Sequence, residues 1–327
     1  MSQQQARSGK TSWLTFAAVL LPALALGGTY WFQPDWAAAL TIFPAWLWPL
    51  LGFGSLYLWW RSTSWQVALV GLVAWLGFCL VSVDELPGLL RTLSRPPAGA
   101  SLRIITINCA GGNLDVIQEA LEQQPNVLLI QESPGREELE QLAAARGLEV
   151  VCGPDASVMA RGKVERLLQA GLEQTYSVRC LVILPEGQRL EVISLRLFPA
   201  TYRFDLWNPF CWRDQLRSRH GRRKQLELSL ELPAARPANA CLIIGGDFNA
   251  PARDAIFRLI PEDLQDAFAV AGRGWGDTII SDFPVHRIDA IWASKALEPV
   301  NCRADKLPSS DHRMVVADFN AVPNAAQ

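Results

Sequence analysis

Two patterns of apolar residues divide the chain. From Thr11 to Val83 apolar side chains run on with charges only at Asp35 and Arg61, which leaves three uncharged stretches: Thr11–Pro34, Trp36–Trp60 and Ser62–Val83. Each reaches the roughly 20 residues that a helix needs to cross a hydrocarbon layer. This predicts a three-helix transmembrane anchor over residues 1–84, with spans near 12–32, 37–59 and 63–83. Trp13, Trp31, Trp36, Trp59, Trp60 and Trp65 fall near the span ends, where amphipathic rings settle. Arg7 and Lys10 precede the first span and Arg61 separates the last two, so the positive-inside rule keeps the N-terminus cytoplasmic. Three crossings then place everything after Val83 outside the cytoplasm.

Beyond a proline-containing linker at 85–101 the apolar runs shorten and polar turns separate them. Leu102–Ile107 and Val127–Ile130 read as buried strands, each followed by a helix. The first helix, Leu114–Glu122, has apolar positions 114, 117 and 121 on one face and Asn113 as its cap. The second begins at Pro134 and runs through Ala145, where Gly147 closes it. Leu148–Cys152, Ser157–Arg161, Tyr176–Leu184 and Leu190–Leu195 read as strands, the last two joined by a turn at Pro185–Gly187. Arg217–Leu230 reads as a helix, and Cys241–Gly245, Arg287–Trp292 and Arg313–Phe319 as further strands. Strand–helix units followed by hairpins predict a two-sheet α/β sandwich over 102–320, with 321–327 as a tail.

Composition changes this picture in three ways. Only 19% of the 327 residues are charged, against about a quarter in soluble domains, and the deficit lies in the first region. Downstream of it acids outnumber bases, so the sandwich lacks the positive field of a protein that tracks a nucleic-acid backbone. The seven cysteines show neither CxxC nor metal-ligand spacing and read as small core residues, while the six outside the first region leave room for disulfides in an oxidising compartment.

Candidate chemistry gathers where apolar strands end. Asn108 follows IITI, Glu132 follows VLLIQ, Asp247 and Asn249 follow CLIIGG, Asp289 follows HRI, and Asp311 and His312 follow PSS. Any one of these could cap a turn. Together they supply carboxylates, amides and one histidine, the donor inventory that magnesium or manganese prefers. Three histidines in all, without HExxH, argue against a zinc hydrolase.

Five blocks make the pattern specific: ITIN (Ile105–Asn108), LLIQES (Leu128–Ser133), GGDFNA (Gly245–Ala250), RIDAIWAS (Arg287–Ser294) and SSDHRMVVADF (Ser309–Phe319). In this order they resemble the endonuclease/exonuclease/phosphatase superfamily, the DNase I-like metal-dependent phosphoesterases. Within it the chain resembles a bacterial membrane-anchored group with three N-terminal spans. The resemblance implies a multi-pass inner-membrane protein with a periplasmic Mg²⁺-dependent catalytic domain, Mn²⁺ being an alternative ion. Its partners would be the lipid bilayer and a phosphate-ester substrate, either nucleic acid or a phospholipid headgroup, with no obligate protein partner. The implied metal ligands are Glu132 as the principal one, with Asn108, Asp247 and Asp311. Asp247 would position or deprotonate the attacking water, Asn249 would bind a phosphoryl oxygen, and Asp289 would orient His312.

Two departures qualify this expectation. Family members usually carry a histidine at the end of the strand that here reads Ser194-Leu195-Arg196-Leu197, and Arg196 stands in its place. A guanidinium can grip phosphate but cannot give up a proton near neutrality, which opens the alternative of a phosphate-binding pseudoenzyme weakened by Arg196. Cys109 and Ala110 replace an extra acid found in abasic-site endonucleases, which disfavours a DNA-repair role. Between Leu197 and Gln225, arginines interleave with Tyr202, Phe204, Trp207, Phe210 and Trp212. This segment reads first as a solvated helix face preceded by an aromatic turn, with an interfacial loop and a substrate rim as the alternatives.

Overall fold

The structure, a computed structural model, describes residues 17–18, 20–59, 65–95, 99–167, 176–231 and 240–321. The chain divides into two compact units: Met1–Leu86 with Tyr202–Leu216 and Arg253–Ala255, and the remainder from Pro87 onward.

In the first unit the described helices cover parts of the apolar stretches, and residues 12–16 of the expected first span lie outside the described residues. Helix α1 covers Leu20–Phe32. A single 3-10 turn at Asp35–Ala37 leads into α2, Ala38–Thr41, and the chain then turns before α3, Leu47–Trp59. Only α4, Trp65–Ser82, is long and apolar enough to cross a membrane among the described residues. The expected three-helix anchor is therefore corrected. Pro44 has no backbone N–H and disfavours helix in the residue before it, so the second stretch yields a 13-residue α3 whose length of about 20 Å falls short of a roughly 30 Å hydrocarbon core. The count of three crossings fails with it. The membrane-anchored, multi-pass description, the periplasmic placement of the catalytic domain and the lipid bilayer as partner all rested on that count and lose their support. Within the unit, Tyr30, Trp75 and Phe78 pack with Ala23 and Leu56. The Tyr30 hydroxyl donates to the Phe43 carbonyl at 2.7 Å and accepts from Trp48 Nε1 at 2.7 Å.

The second unit is the expected sandwich. Helix α5, Glu85–Arg91, enters it from the stretch read as a linker. It is anchored by Arg91 Nη2 on the Ala269 carbonyl and by Gly274 N on the Gly88 carbonyl. Strands follow as β1 (Leu102–Asn108), β2 (Val127–Gln131), β3 (Glu149–Cys152), β4 (Ala156–Ala160), β5 (Lys163–Arg166) and β6 (Ser177–Ile183). The series continues with β7 (Arg189–Arg196), β8 (Cys241–Asp247), β9 (Leu264–Asp266), β10 (Asp289–Ser294), β11 (Leu297–Lys306) and β12 (Arg313–Ala321). They form two six-stranded mixed sheets, ordered β11-β12-β1-β2-β4-β3 and β5-β6-β7-β8-β10-β9.

Period-two alternation explains the layering. On β1, Leu102 and Ile104 face the other sheet, where they join Val192, Ile243 and Ile291, while Ile105 and Ile107 face outward. Those outward residues pack on α6 (Leu114–Leu121) and α7 (Arg136–Ala145). On β7, Leu190 and Val192 face inward, whereas Ile193 and Leu195 pack outward on Leu226 and Phe248. Each sheet has one parallel pair near its centre, β1–β2 in the first and β7–β8 in the second. Since parallel neighbours end on the same side, these pairs present four strand ends together.

Candidate active site

The strand ends carry the polar residues. In the register of the first sheet Asn108 lies opposite Gln131, directly before Glu132; in the second, Asp247 lies opposite Arg196 on one side and Asp289 on the other. Glycines admit this geometry in the second sheet. Gly246 has φ +147°, and a Cβ there would lie 1.9 Å from the Leu195 carbonyl oxygen, so only glycine fits beside β7. The next turns are strained: Glu132 has φ 48° and Asn249 φ 49°. Asparagine tolerates this left-handed region and glutamate does not, and such backbone outliers gather at functional sites.

One amide ties the two sheets together. Asn108 Nδ2 donates to Glu132 Oε1 at 3.1 Å and to Asp247 Oδ2 at 3.2 Å. Its own position is fixed by Ala110 N on its Oδ1 and by the Ser310 hydroxyl on its carbonyl. Glu132 also accepts from Gly111 N at 2.6 Å and from Arg196 Nη2 at 2.8 Å. Burial alone would raise its carboxyl, but the Asn108 hydrogen bond, the Arg196 charge and the Gly111 amide hold it below the usual carboxylate range.

Asp247 stands in the opposite condition. It is buried; Asn249 N donates to its Oδ1 at 2.9 Å and Asn249 Nδ2 to its Oδ2 at 3.1 Å. Burial first, and then the neighbouring Asp289 charge, push its carboxyl up to about 7. Asn249 Nδ2 also donates to the Leu197 carbonyl, so the amide expected to take a phosphoryl oxygen is here spent on fixing Asp247.

His312 Nδ1 lies 2.9 Å from Asp289 Oδ2 in a buried pair. Burial would lower the imidazole, but the Asp289 charge and hydrogen bond, with Asp247 and Asp311 behind them, push it up to about 9. Ser310 Oγ accepts from His312 N, and Thr278 Oγ1 accepts from Asp289 N, so both backbones are pinned. The ligand atoms of Asp247, Asp289 and His312 lie within 4.8 Å of one another, a cluster able to hold a divalent cation. Asp289 Oδ1 is buried with no hydrogen-bond partner. Two buried carboxylates, one with a free oxygen and one held near neutrality, match a hard cation's demand for oxygen donors.

Of the residues expected from sequence, Asn108, Glu132, Arg196, Asp247, Asn249, Asp289 and His312 are joined by this network. Asp311 is exposed and lies outside the converged cluster. Sequence reasoning missed Asp155, whose Oδ2 accepts from Arg196 Nη1 at 3.2 Å, and the Gly111 amide. Gly153 and Pro154 mark the turn that carries Asp155, but pairing it with Arg196 requires knowing how the two sheets face each other. In the basic stretch, Arg203 is engaged by Asp205 and Asp214 and Arg213 lies over Phe210, while Arg219 and Arg222 are buried.

Solved structures share this architecture. A humanized TDP2 from D. rerio aligns with TM-score 0.52 and 19% identity over 67% of this chain and 99% of that one. An endonuclease/exonuclease/phosphatase from Bacteroides vulgatus aligns with TM-score 0.52 and 14% identity over 68% and 99%. The human Nocturnin catalytic domain with bound sulfate aligns with TM-score 0.50 and 19% identity over 68% and 94%. At these identities the likeness speaks for the fold alone, and no curated protein sequence matches the chain. The family model described as Endonuclease/Exonuclease/phosphatase family matches residues 105–312, from the β1 strand that delivers Asn108 to His312 itself. The chain belongs to the Endonuclease/Exonuclease/phosphatase family.

Proposed function

We propose that the protein is a Mg²⁺-dependent phosphoesterase, with Mn²⁺ able to substitute, in which Asp247 and the Asp289–His312 pair carry the chemistry. Family membership and the converged cluster support a metal-dependent hydrolase; the choice of ion and the division of roles are our reading. The observation that carries it is the buried Asp247–Asp289–His312 cluster at the strand ends, with Asp289 Oδ1 left unpartnered.

The carboxylates of Asp247 and Asp289 would hold the cation, with Asn108 and Glu132 at its border. When bound, such an ion offsets the charge on phosphoryl oxygens and sharpens the acidity of a neighbouring water. Asp247 is positioned to take a proton from that water, because Asn108 and Asn249 fix its carboxylate from two directions. The contact with Asp289 commits His312 Nδ1 and so fixes the tautomer, leaving Nε2 to exchange a proton with the departing oxygen. Arg196 cannot take that part, since a guanidinium stays protonated.

The test is hydrolysis of an aryl phosphodiester, an aryl phosphomonoester, plasmid DNA and RNA by the full chain. Turnover of at least one should appear with Mg²⁺, vanish with a chelator and return when Mg²⁺ is restored. Turnover that survives thorough chelation, or none with any of the four at saturating Mg²⁺, overturns the proposal.

A further inference from the structure

We infer that Arg196 is a built-in cation that occupies Glu132 and thereby weakens the affinity of the site for its divalent ion. This rests on the metal-dependent reading above. Its guanidinium spans two acids from different loops: Nη2 donates to Glu132 Oε1 at 2.8 Å and Nη1 to Asp155 Oδ2 at 3.2 Å. The side chains of Arg196, Glu132 and Asp155 are two-thirds to three-quarters buried, with relative exposures of 26%, 25% and 32%, so solvent screens the pair less than it would a surface ion pair. Arg196 Nε is buried without a hydrogen-bond partner, which shows that the guanidinium is placed for the two carboxylates at the expense of its third donor position.

The accounting of lone pairs sharpens the point. A carboxylate offers about four acceptor positions, and Glu132 already receives Asn108 Nδ2, Gly111 N and Arg196 Nη2. A divalent ion that draws on Glu132 meets a carboxylate whose charge is largely compensated, beside a fixed positive group. Arg196 also sits opposite Asp247 in the strand register, so its field reaches the cluster whichever oxygens the ion takes. Like charges held close together in a partly buried site disfavour each other, because solvent screens them poorly. Asp155 is the counterweight: it draws on the guanidinium from the other side and adds negative potential.

The experiment is titration of the chelator-stripped full chain with Mn²⁺, followed by the free-ion electron paramagnetic resonance signal and by calorimetry. The variants are Arg196→Gln, Arg196→Lys and Asp155→Asn, with circular dichroism and thermal unfolding to establish folding. Arg196→Gln should bind Mn²⁺ about tenfold more tightly or better. Arg196→Lys, which keeps the charge but cannot span two carboxylates, should fall between it and the wild type. Asp155→Asn should bind more weakly, opposite in sign to Arg196→Gln. If Arg196→Gln unfolds, the opposite shift of Asp155→Asn alone decides. Wild-type protein that binds no Mn²⁺ defeats the metal-dependent reading and this inference together. Wild-type binding with unchanged affinity in the variants, or tighter binding in Asp155→Asn, defeats this inference only.

Discussion

The parallel strand pair of each sheet brings one carboxylate to the strand ends, and the two acids live in different electrostatic company. Glu132, from the first sheet, is about three-quarters buried and arrives with its own cation in Arg196 and two further hydrogen-bond donors; it stays ionised. Asp247, from the second, is fully enclosed beside a second acid, and its carboxyl is driven up toward neutrality. Neighbouring acids pushed apart in this way take different tasks. The Glu132 half is compensated within the chain, and the Asp247 half is short of positive charge. The external divalent ion therefore has its strongest claim on the Asp247 side.

The largest expected effect breaks the second half. Asp247→Asn removes a charge and a proton acceptor while keeping the shape, and kcat for the phosphoester substrate should fall by about 10³-fold, within the range of lost acid–base catalysis. Steady-state assays at saturating Mg²⁺ check this, and a loss under tenfold would put the chemistry elsewhere. Glu132→Gln, the matching change in the compensated half, should cost less, about 10- to 100-fold in kcat/KM, as for groups that support a metal site from its border. Equal losses in the two variants would erase the distinction drawn here.

The backbone that delivers Asp247 can be attacked directly. Gly246→Ala places a methyl against the Leu195 carbonyl and should destabilise the protein by about 3 kcal/mol in urea unfolding, as overpacking at a rigid position does. No glycine precedes Glu132 in β2, where Ile130 and Gln131 occupy the same places, so this vulnerability belongs to one sheet.

Proton binding tests the same half. His312 is raised from an ordinary value near 6.5 to about 9, so between those values the folded protein holds a proton that the unfolded chain has released. This contribution is complete below pH 6.5 and is lost as pH rises through 9. In the presence of a chelator, the unfolding free energy of the wild type should fall by about 2–3 kcal/mol over that interval relative to His312→Asn. A difference that does not change with pH would remove the ion pair with Asp289 from the account. The smallest effect lies in the first sheet's outer layer. Asn113→Ala deprives Asp115 N of its acceptor at the start of α6 and should lower stability by about 1 kcal/mol with kcat unchanged.

How much of this could be read from the sequence depended on whether the signal was local. Strands such as Leu102–Asn108 and Cys241–Asp247 announce themselves because a short apolar run ends at a polar residue, and the polar residue is the functional one. Asn113 as a cap is equally local. The left-handed backbone at Glu132 and the reach of Arg196 to Asp155 leave no local mark, because they come from two sheets facing each other. Strands β5, β9 and β11 escaped notice for a related reason: Lys163–Arg166 and Leu297–Lys306 lie at sheet edges and lack a continuous apolar run. In the first unit the error was of length. Apolar composition marked the segments, but Pro44 and the turn after Thr41 decide how far a helix extends. An apolar stretch bounds a helix from above and does not fix its span.

The most direct measurement is the anomalous scattering of manganese in crystals grown from the full chain. The account predicts a peak within coordinating distance of an Asp247 carboxylate oxygen, with Arg196 still on Glu132. Manganese bound to Glu132 with Arg196 displaced and Asp247 untouched, or no manganese among these strand ends, would contradict it.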